Sequence, residues 1–191
     1  MIKLKYGNTN TYFLNGLLVD TDMPDTLPAF YREIKRNGIA LCDIKYLLAT
    51  HYHPDHIGLA GRLTELGVKL IIVDKQVAYV HFADPVFERT PHLDYHPIKE
   101  EQAIIIGCGQ SRDFLRGIGI DGCIITTESH SPDGIALITD EGNCFAGDLE
   151  PPAFIEGYED NSPLRRDWER IKALNPQNAY FGHINEQRIN K

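Results

Sequence analysis

Four side chains able to bind a metal fall within six residues, in His51-Tyr52-His53-Pro54-Asp55-His56. Three more follow on separate stretches: His130 in Ser129-His130-Ser131, Asp148 in Ala146-Gly147-Asp148 and His183 in Phe181-Gly182-His183. Imidazole nitrogens and carboxylate oxygens are the donors of zinc, iron and manganese sites. A tetrahedral zinc takes four ligands. The larger set here suits two ions sharing one carboxylate, an arrangement that polarises a substrate oxygen and acidifies a water. Five of the eight histidines belong to this set. For the hexad alone, a histidine-rich surface loop is the other reading.

The flanking residues place these donors. Tyr46-Leu47-Leu48-Ala49 reads as a buried strand, and Ile57 to Leu66 as a helix stopped near Gly67. The hexad is therefore a strand-to-helix loop. Alternate residues of its extended part send His51 and His53 to one side, while Asp55 and His56 stand where the helix begins. Gly122 to Thr126 is a strand run leading to His130. Gly142 to Gly147 runs into Asp148, and Ala179 to Phe181 leads through Gly182 to His183. Every candidate donor thus lies just past the C-terminal end of a strand, which would gather them at a sheet rim.

Elsewhere, Thr11 to Leu14 and Leu17 to Val19 read as a hairpin across Asn15-Gly16. Leu27, Phe30, Tyr31 and Ile34 mark an amphipathic helix ending at Asn37-Gly38, and Val68 to Val73 is a strand. Ser162-Pro163 caps a last helix whose stripe of Leu164, Trp168, Ile171 and Leu174 is read as core. This order predicts an α/β (α+β) fold of two mixed sheets with helices outside them, a four-layer αββα sandwich forming one domain over residues 1–191.

With these motifs in this order, and with Leu17-Leu18-Val19-Asp20-Thr21 ahead of them, the chain resembles the metallo-β-lactamase-fold hydrolases. That superfamily includes hydroxyacylglutathione hydrolase, whose branch the pattern is most like, ribonuclease Z and the quorum-quenching lactonases. The resemblance implies a first ion on His51, His53 and His130 and a second on Asp55, His56 and His183. Asp148 would bridge them, and Asp20 would orient the hexad by hydrogen bonds. The implied cofactors are two divalent metal ions, zinc first and manganese or iron as alternatives. The implied reaction is attack of a metal-bridging hydroxide on a small ester, thioester or lactone, with Asp148 fixing the ion spacing and Asp55 carrying a proton to the leaving group. Two positions depart from the family pattern: Glu128-Ser129 replaces the usual Pro-Gly before His130, and Gly58-Leu59 replaces a Gly-Gly. Three alternatives stand beside the hydrolase. A phosphodiesterase would need a basic wall near the site, a mononuclear iron persulfide dioxygenase would hold one iron and consume oxygen, and a non-catalytic metal-binding module would turn nothing over.

A net charge of −8 weakens a nucleic-acid reading. Arg165, Arg166 and Arg170 could make a basic patch but are interrupted by Asp167 and Glu169. No apolar run approaches a membrane span, and the start carries no signal-like stretch. Cys42, Cys108, Cys123 and Cys144 are widely spaced and expected to be free and buried in a reducing cytoplasm. The expected partner is a small-molecule substrate, with no nucleic acid and no membrane; a homodimer is one assembly the sequence allows. The chain ends eight residues after His183, which leads one to expect no glutathione-gripping helical domain. Residues 82–101 and 149–162 are irregular, rich in proline and aromatics, and expected to act as binding loops. Tyr52, Tyr95 and Tyr158 are the candidates to line a substrate pocket. The alternation His92, Asp94, His96 mimics a further metal site but is expected to be a solvated loop.

Overall fold

The computed structural model describes residues 1–189. They fall in two units, Met1–Ile106 and a second that begins at Gly107.

The first unit is built on a six-stranded sheet whose spatial order is its sequence order: β1 (Ile2–Lys5), β2 (Asn10–Leu14), β3 (Leu17–Val19), β4 (Tyr46–Leu48), β5 (Lys69–Val73) and β6 (Ile104–Ile106). The first three strands pair antiparallel and the last four parallel. Asn15 and Gly16 take φ of 46° and 83°, the left-handed pair that a tight hairpin between β2 and β3 requires. The parallel strands need crossovers, and these are the helices. They are α1 (Leu27–Arg36) before β4, α2 (Pro54–Ile57) and α3 (Ala60–Glu65) before β5, and α4 (Asp84–Glu88) before β6. Leu47, Leu48, Leu70, Ile71 and Ile72 are all buried, as central strands covered on both faces should be. Phe30 and Ile34 of α1 and Leu63 of α3 join the core that covers Leu47, Leu70 and Ile72 on one face of the sheet.

The helix after the hexad differs from expectation. It starts at Pro54 and breaks at Gly58-Leu59, so Asp55 and His56 lie inside a short helical turn. At position 58 the packing requires glycine. A Cβ there would stand 2.5 Å from the Asp22 carbonyl oxygen, 2.7 Å from Pro24 Cδ and 2.8 Å from Met23 Cα. Only glycine allows the hexad turn to rest against that backbone.

The second unit holds a five-stranded sheet. Along the chain run α5 (Ser111–Gly117), β7 (Gly122–Thr126), β8 (Ile135–Thr139), β9 (Asn143–Phe145), α6 (Pro163–Ala173), β10 (Asn178–Tyr180) and β11 (Gln187–Arg188), and in space the strand order is β11-β10-β9-β8-β7. Only the β9–β10 pair is parallel, and α6 is its crossover. The Ser162 hydroxyl accepts the Arg165 N–H at 3.3 Å, with Pro163 in the first helical turn, as the sequence predicts. Leu164, Trp168 and Ile171 pack into the core with Ala136, Ile138, Cys144 and Ala179. Leu174 does not: it falls at the helix C-cap and is exposed.

Among the described residues, no helix is long and apolar enough to cross a membrane. The cysteines are free, but their burial differs from expectation: Cys144 alone is buried, Cys108 and Cys123 are half-buried and Cys42 is exposed. Burial pushes the Cys144 thiol up to about 12 and so suppresses its thiolate. A thiol reagent should therefore modify Cys42 first and reach Cys144 only in denaturant, as peptide mass spectrometry of the labelled chain would reveal. Gly58→Ala should lower stability by about 1–3 kcal/mol through overpacking, seen as an earlier urea midpoint.

Candidate metal centre

In the first unit, β4 delivers the chain into Thr50 and His51. His51 Nε2 and His53 Nδ1 converge to 3.0 Å with their rings 75° apart. Two nitrogens bound to one tetrahedral ion at 2.0–2.1 Å stand roughly 3.3 Å apart, so this spacing fits a shared cation. The His51 and His56 rings lie 4.1 Å apart, and the donor atoms of Asp55 and His56 lie within 4.8 Å of each other. His51 and His56 are buried, so their rings are held by the interior rather than by solvent.

The buried Asp20 carboxylate does much of the holding. It accepts the Thr50 N–H at 2.6 Å and the Thr50 hydroxyl at 2.8 Å. Because that hydroxyl spends its one proton on Asp20, its oxygen is left to accept at 3.2 Å from His51 Nδ1–H, which puts the His51 lone pair on Nε2. Asp20 Oδ2 also lies 3.1 Å from His56 Nδ1, leaving His56 Nε2 as the donor atom. Asp20 occupies the left-handed region, φ 59°, which aspartate tolerates better than most residues.

Other side chains grip the hexad by its carbonyls. The Thr9 hydroxyl donates to Asp55 O at 2.7 Å, and the Thr21 N–H and hydroxyl both donate to His56 O at 2.9 Å. The Gln76 amide donates to Ala49 O at 3.0 Å while its own oxygen accepts the Val73 N–H at 3.2 Å. Phe82, largely exposed at the start of the 82–101 segment, brings its ring to 5.9 Å from that of His53.

In the second unit, the parallel β9–β10 ladder sets the other donors. Ala146 N–H donates to Tyr180 O at 2.9 Å and Gly182 N–H to Gly147 O at 2.8 Å, so Asp148 and His183 leave adjacent strand ends side by side. Asp148 Oδ2 lies 3.1 Å from His183 Nε2 and 3.8 Å from His130 Nε2. One carboxylate oxygen is thus flanked by two imidazoles. These residues line an open cavity of about 300 Å³ with Leu149, Pro151 and Phe181. A smaller cavity of about 160 Å³ beside His130 is lined by Ser129, Glu150, Tyr158, Pro163 and Leu164. There the Tyr158 hydroxyl donates to Glu150 Oε2 at 2.6 Å, a bond that, with burial, raises the phenol above its usual range. Trp168 Nε1–H holds the Glu150 carbonyl at 2.7 Å.

The Glu128 side chain is exposed and lines a surface depression with Arg166, Glu169 and Arg170, away from both cavities at His130. The arginines are tied down locally. Arg170 pairs with Asp167 at 2.5 Å, Arg165 donates to Ile155 O and Tyr158 O, and Arg166 donates to Asn161 O.

Two of the three tyrosines have other work. Tyr52 is fully buried among core residues, because its place in the extended part of the loop turns it away from its histidine neighbours. The Tyr95 ring stacks on Phe87 at 4.0 Å and its hydroxyl donates to Asp84 at 2.9 Å, which fixes the 82–101 segment. Only Tyr158 stands at a cavity beside a candidate donor. His96 pairs with Glu65 at 2.9 Å, Asp94 is exposed, and among the described residues no metal-competent cluster contains His92, Asp94 or His96. Sequence reasoning missed Thr9, Thr50, Gln76, Glu150 and Asp167. Of these, Asp167 left a trace: it lies three residues after Leu164 and four before Ile171, on the side of the helix that those core residues share.

The chain matches the family model described as the metallo-beta-lactamase superfamily over residues 4–183. It is 28% identical over 192 residues to the beta-lactamase-like protein 2 homolog of Drosophila melanogaster, covering 96% of this chain and 61% of that protein. The homolog from Caenorhabditis elegans is 26% identical, with 92% and 55% covered, so the chain spans less than two thirds of these relatives' length. An N-acyl homoserine lactonase of Bacillus thuringiensis is 25% identical, with 90% and 77% covered. Among solved structures, a metallo-beta-lactamase family protein of Thermus thermophilus, TTHA1429, superposes with a TM-score of 0.68 at 21% identity, covering 94% and 70% of the two chains. TTHA1623, solved in a di-iron-bound form, superposes with a TM-score of 0.67 at 21% identity, covering 98% and 93%. At such identities the likeness to these structures is one of fold. The match over nearly the whole chain settles the family: this protein belongs to the metallo-beta-lactamase superfamily.

Proposed function

We propose that the protein is a hydrolase of small esters, thioesters or lactones that works with two divalent metal ions, zinc in the first instance. His51, His53 and His130 would hold one ion and Asp55, His56 and His183 the other, with Asp148 shared between them. The observation that carries this reading is the single Asp148 oxygen flanked at 3.1 and 3.8 Å by two imidazole nitrogens, the environment of a bridging carboxylate. The convergence of His51 and His53 at 3.0 Å adds to it.

When bound, such ions polarise a carbonyl oxygen and acidify a water. The chain supplies the rest. Asp20, acting directly on His56 and through Thr50 on His51, keeps both imidazoles in the tautomer that offers Nε2. Asp55 offers a carboxylate oxygen to carry a proton to the leaving group. The cavity at His130, with Tyr158 and Glu150 on its wall, would receive part of the substrate, and its volume of about 160 Å³ suits a small group. The lactonase among the relatives favours a cyclic or simple ester, and the di-iron form of TTHA1623 favours two ions and keeps iron as an alternative. The cytoplasm is the compartment proposed, on the absence of paired cysteine spacing.

Elemental analysis of protein purified without chelator should return about two metal ions per chain. Asp148→Asn should lose metal and at least about a hundredfold in turnover of a lactone or ester, and unchanged turnover would sink the proposal. Asp20→Asn should lower metal affinity by about 10–100-fold without changing any donor, measured by competition with a chromophoric chelator.

A further inference from the structure

We infer that Asp167, which lies outside every donor motif, is the positioning residue that sets His130 for metal binding. The inference rests on the reading of His130 as a ligand. His130 is about one-third exposed, so the course of the backbone that carries it bears directly on where its side chain stands. That backbone is clamped immediately before it. The N–H groups of Glu128 and Ser129 both donate to the same Asp167 oxygen, Oδ2, each at 2.8 Å. Two successive amides aimed at one anionic oxygen fix the peptide plane that leads into His130. A proline at position 128 would have no N–H to offer.

The clamp is itself braced. Asp167 lies on α6 and is 1% exposed, so it is a carboxylate held in the interior by its bonds. Its other oxygen receives Arg170 Nη2 at 2.5 Å, and Arg170 Nη1 donates to the Thr126 hydroxyl at 3.2 Å. Thr126 is the last residue of β7, from which the His130 loop departs. The far end of the loop is closed separately, by Thr127 N–H to Gly134 O at 2.8 Å and Gly134 N–H to Ser131 O at 2.9 Å. Helix, strand end and loop are thus joined through one buried carboxylate. Ser129 agrees with this: its hydroxyl is buried and makes no hydrogen bond among the described residues, so the Ser129 amide rather than its side chain fixes the loop.

The test compares full-length wild type, Asp167→Ala, Asp167→Asn and Arg170→Ala, each loaded with zinc and titrated against a chromophoric chelator. Wild type should hold two ions. Asp167→Ala should weaken one of them by about 10–100-fold and leave the other within about twofold. Asp167→Asn keeps a carbonyl that accepts from both amides but turns its NH2 toward Arg170, so on that one ion it should lose no more than Arg170→Ala does and clearly less than Asp167→Ala. A residue serving stability alone would weaken both ions together or neither, so either result with Asp167→Ala overturns the inference. If Asp167→Ala does not fold, Arg170→Ala decides, because the arginine is half exposed: a several-fold loss on one ion supports the clamp, and no loss overturns it. Amide hydrogen exchange supplies a readout without metal. In apo wild type and Asp167→Asn, the Glu128 and Ser129 amides should exchange slowly, and in Asp167→Ala quickly. Fast exchange in wild type overturns the clamp. A wild type that takes up no zinc would defeat the proposed hydrolase, while the exchange experiment would still decide whether Asp167 holds the loop.

Discussion

A carboxylate sits in the interior beneath the histidine loop, and the orientation of two of the first unit's candidate donors follows from it. Asp20 is 2% exposed, a burial that would be costly for an unsolvated charge. It persists there because the Thr50 amide, the Thr50 hydroxyl and His56 surround it within 3.1 Å. The same contacts that keep the charge tolerable decide which nitrogen each imidazole turns outward. Solvation of one anion and orientation of two donors are therefore a single interaction. Its backbone cost, a left-handed aspartate of about 1–3 kcal/mol, is accepted at the end of β3 because this conformation ends the strand and turns the side chain under the loop.

The two units reach a similar end by different physics. In the first, four donors come from one short stretch of sequence, so their relative positions depend on a single loop and on what grips it. In the second, three candidate donors come from separate segments spread from residue 130 to residue 183, and the sheet ladder places two of them. Asp148 and His183 are neighbours because β9 and β10 are parallel and in register, Phe145 against Tyr180. His130 has no such ladder beside it, which is why its loop carries a clamp of its own.

The candidate donors stood out in the sequence because imidazoles and carboxylates at strand ends have few other reasons to recur. The hairpin at Asn15-Gly16 and the cap at Ser162-Pro163 were legible for a related reason: each rests on a local conformational requirement that few residues meet. What sequence could not supply was partnership across the chain. Thr9 and Gln76 are ordinary polar residues until folding brings them to carbonyls 46 and 27 positions away. Asp167 read as one more charge on a solvated helix face, although it reaches back 38 and 39 positions to two amides. Tyr52 failed in the other direction. Its neighbours are donors, but alternation in an extended segment turns it into the core.

The way the hexad is gripped separates the shape of the loop from its chemistry. Gln76, Thr9 and Thr21 take hold of the carbonyls of Ala49, Asp55 and His56, groups that every amino acid shares. A loop held in this manner does not depend on the side chains at 53 and 55, whereas those at 51 and 56 are tied to Asp20 directly or through Thr50. At positions 53 and 55 one polar group can be exchanged for another while the main chain keeps its course. Charge at those two positions can change with little cost to folding. What the loop offers chemically is then, in part, a trait that the scaffold can revise without being rebuilt.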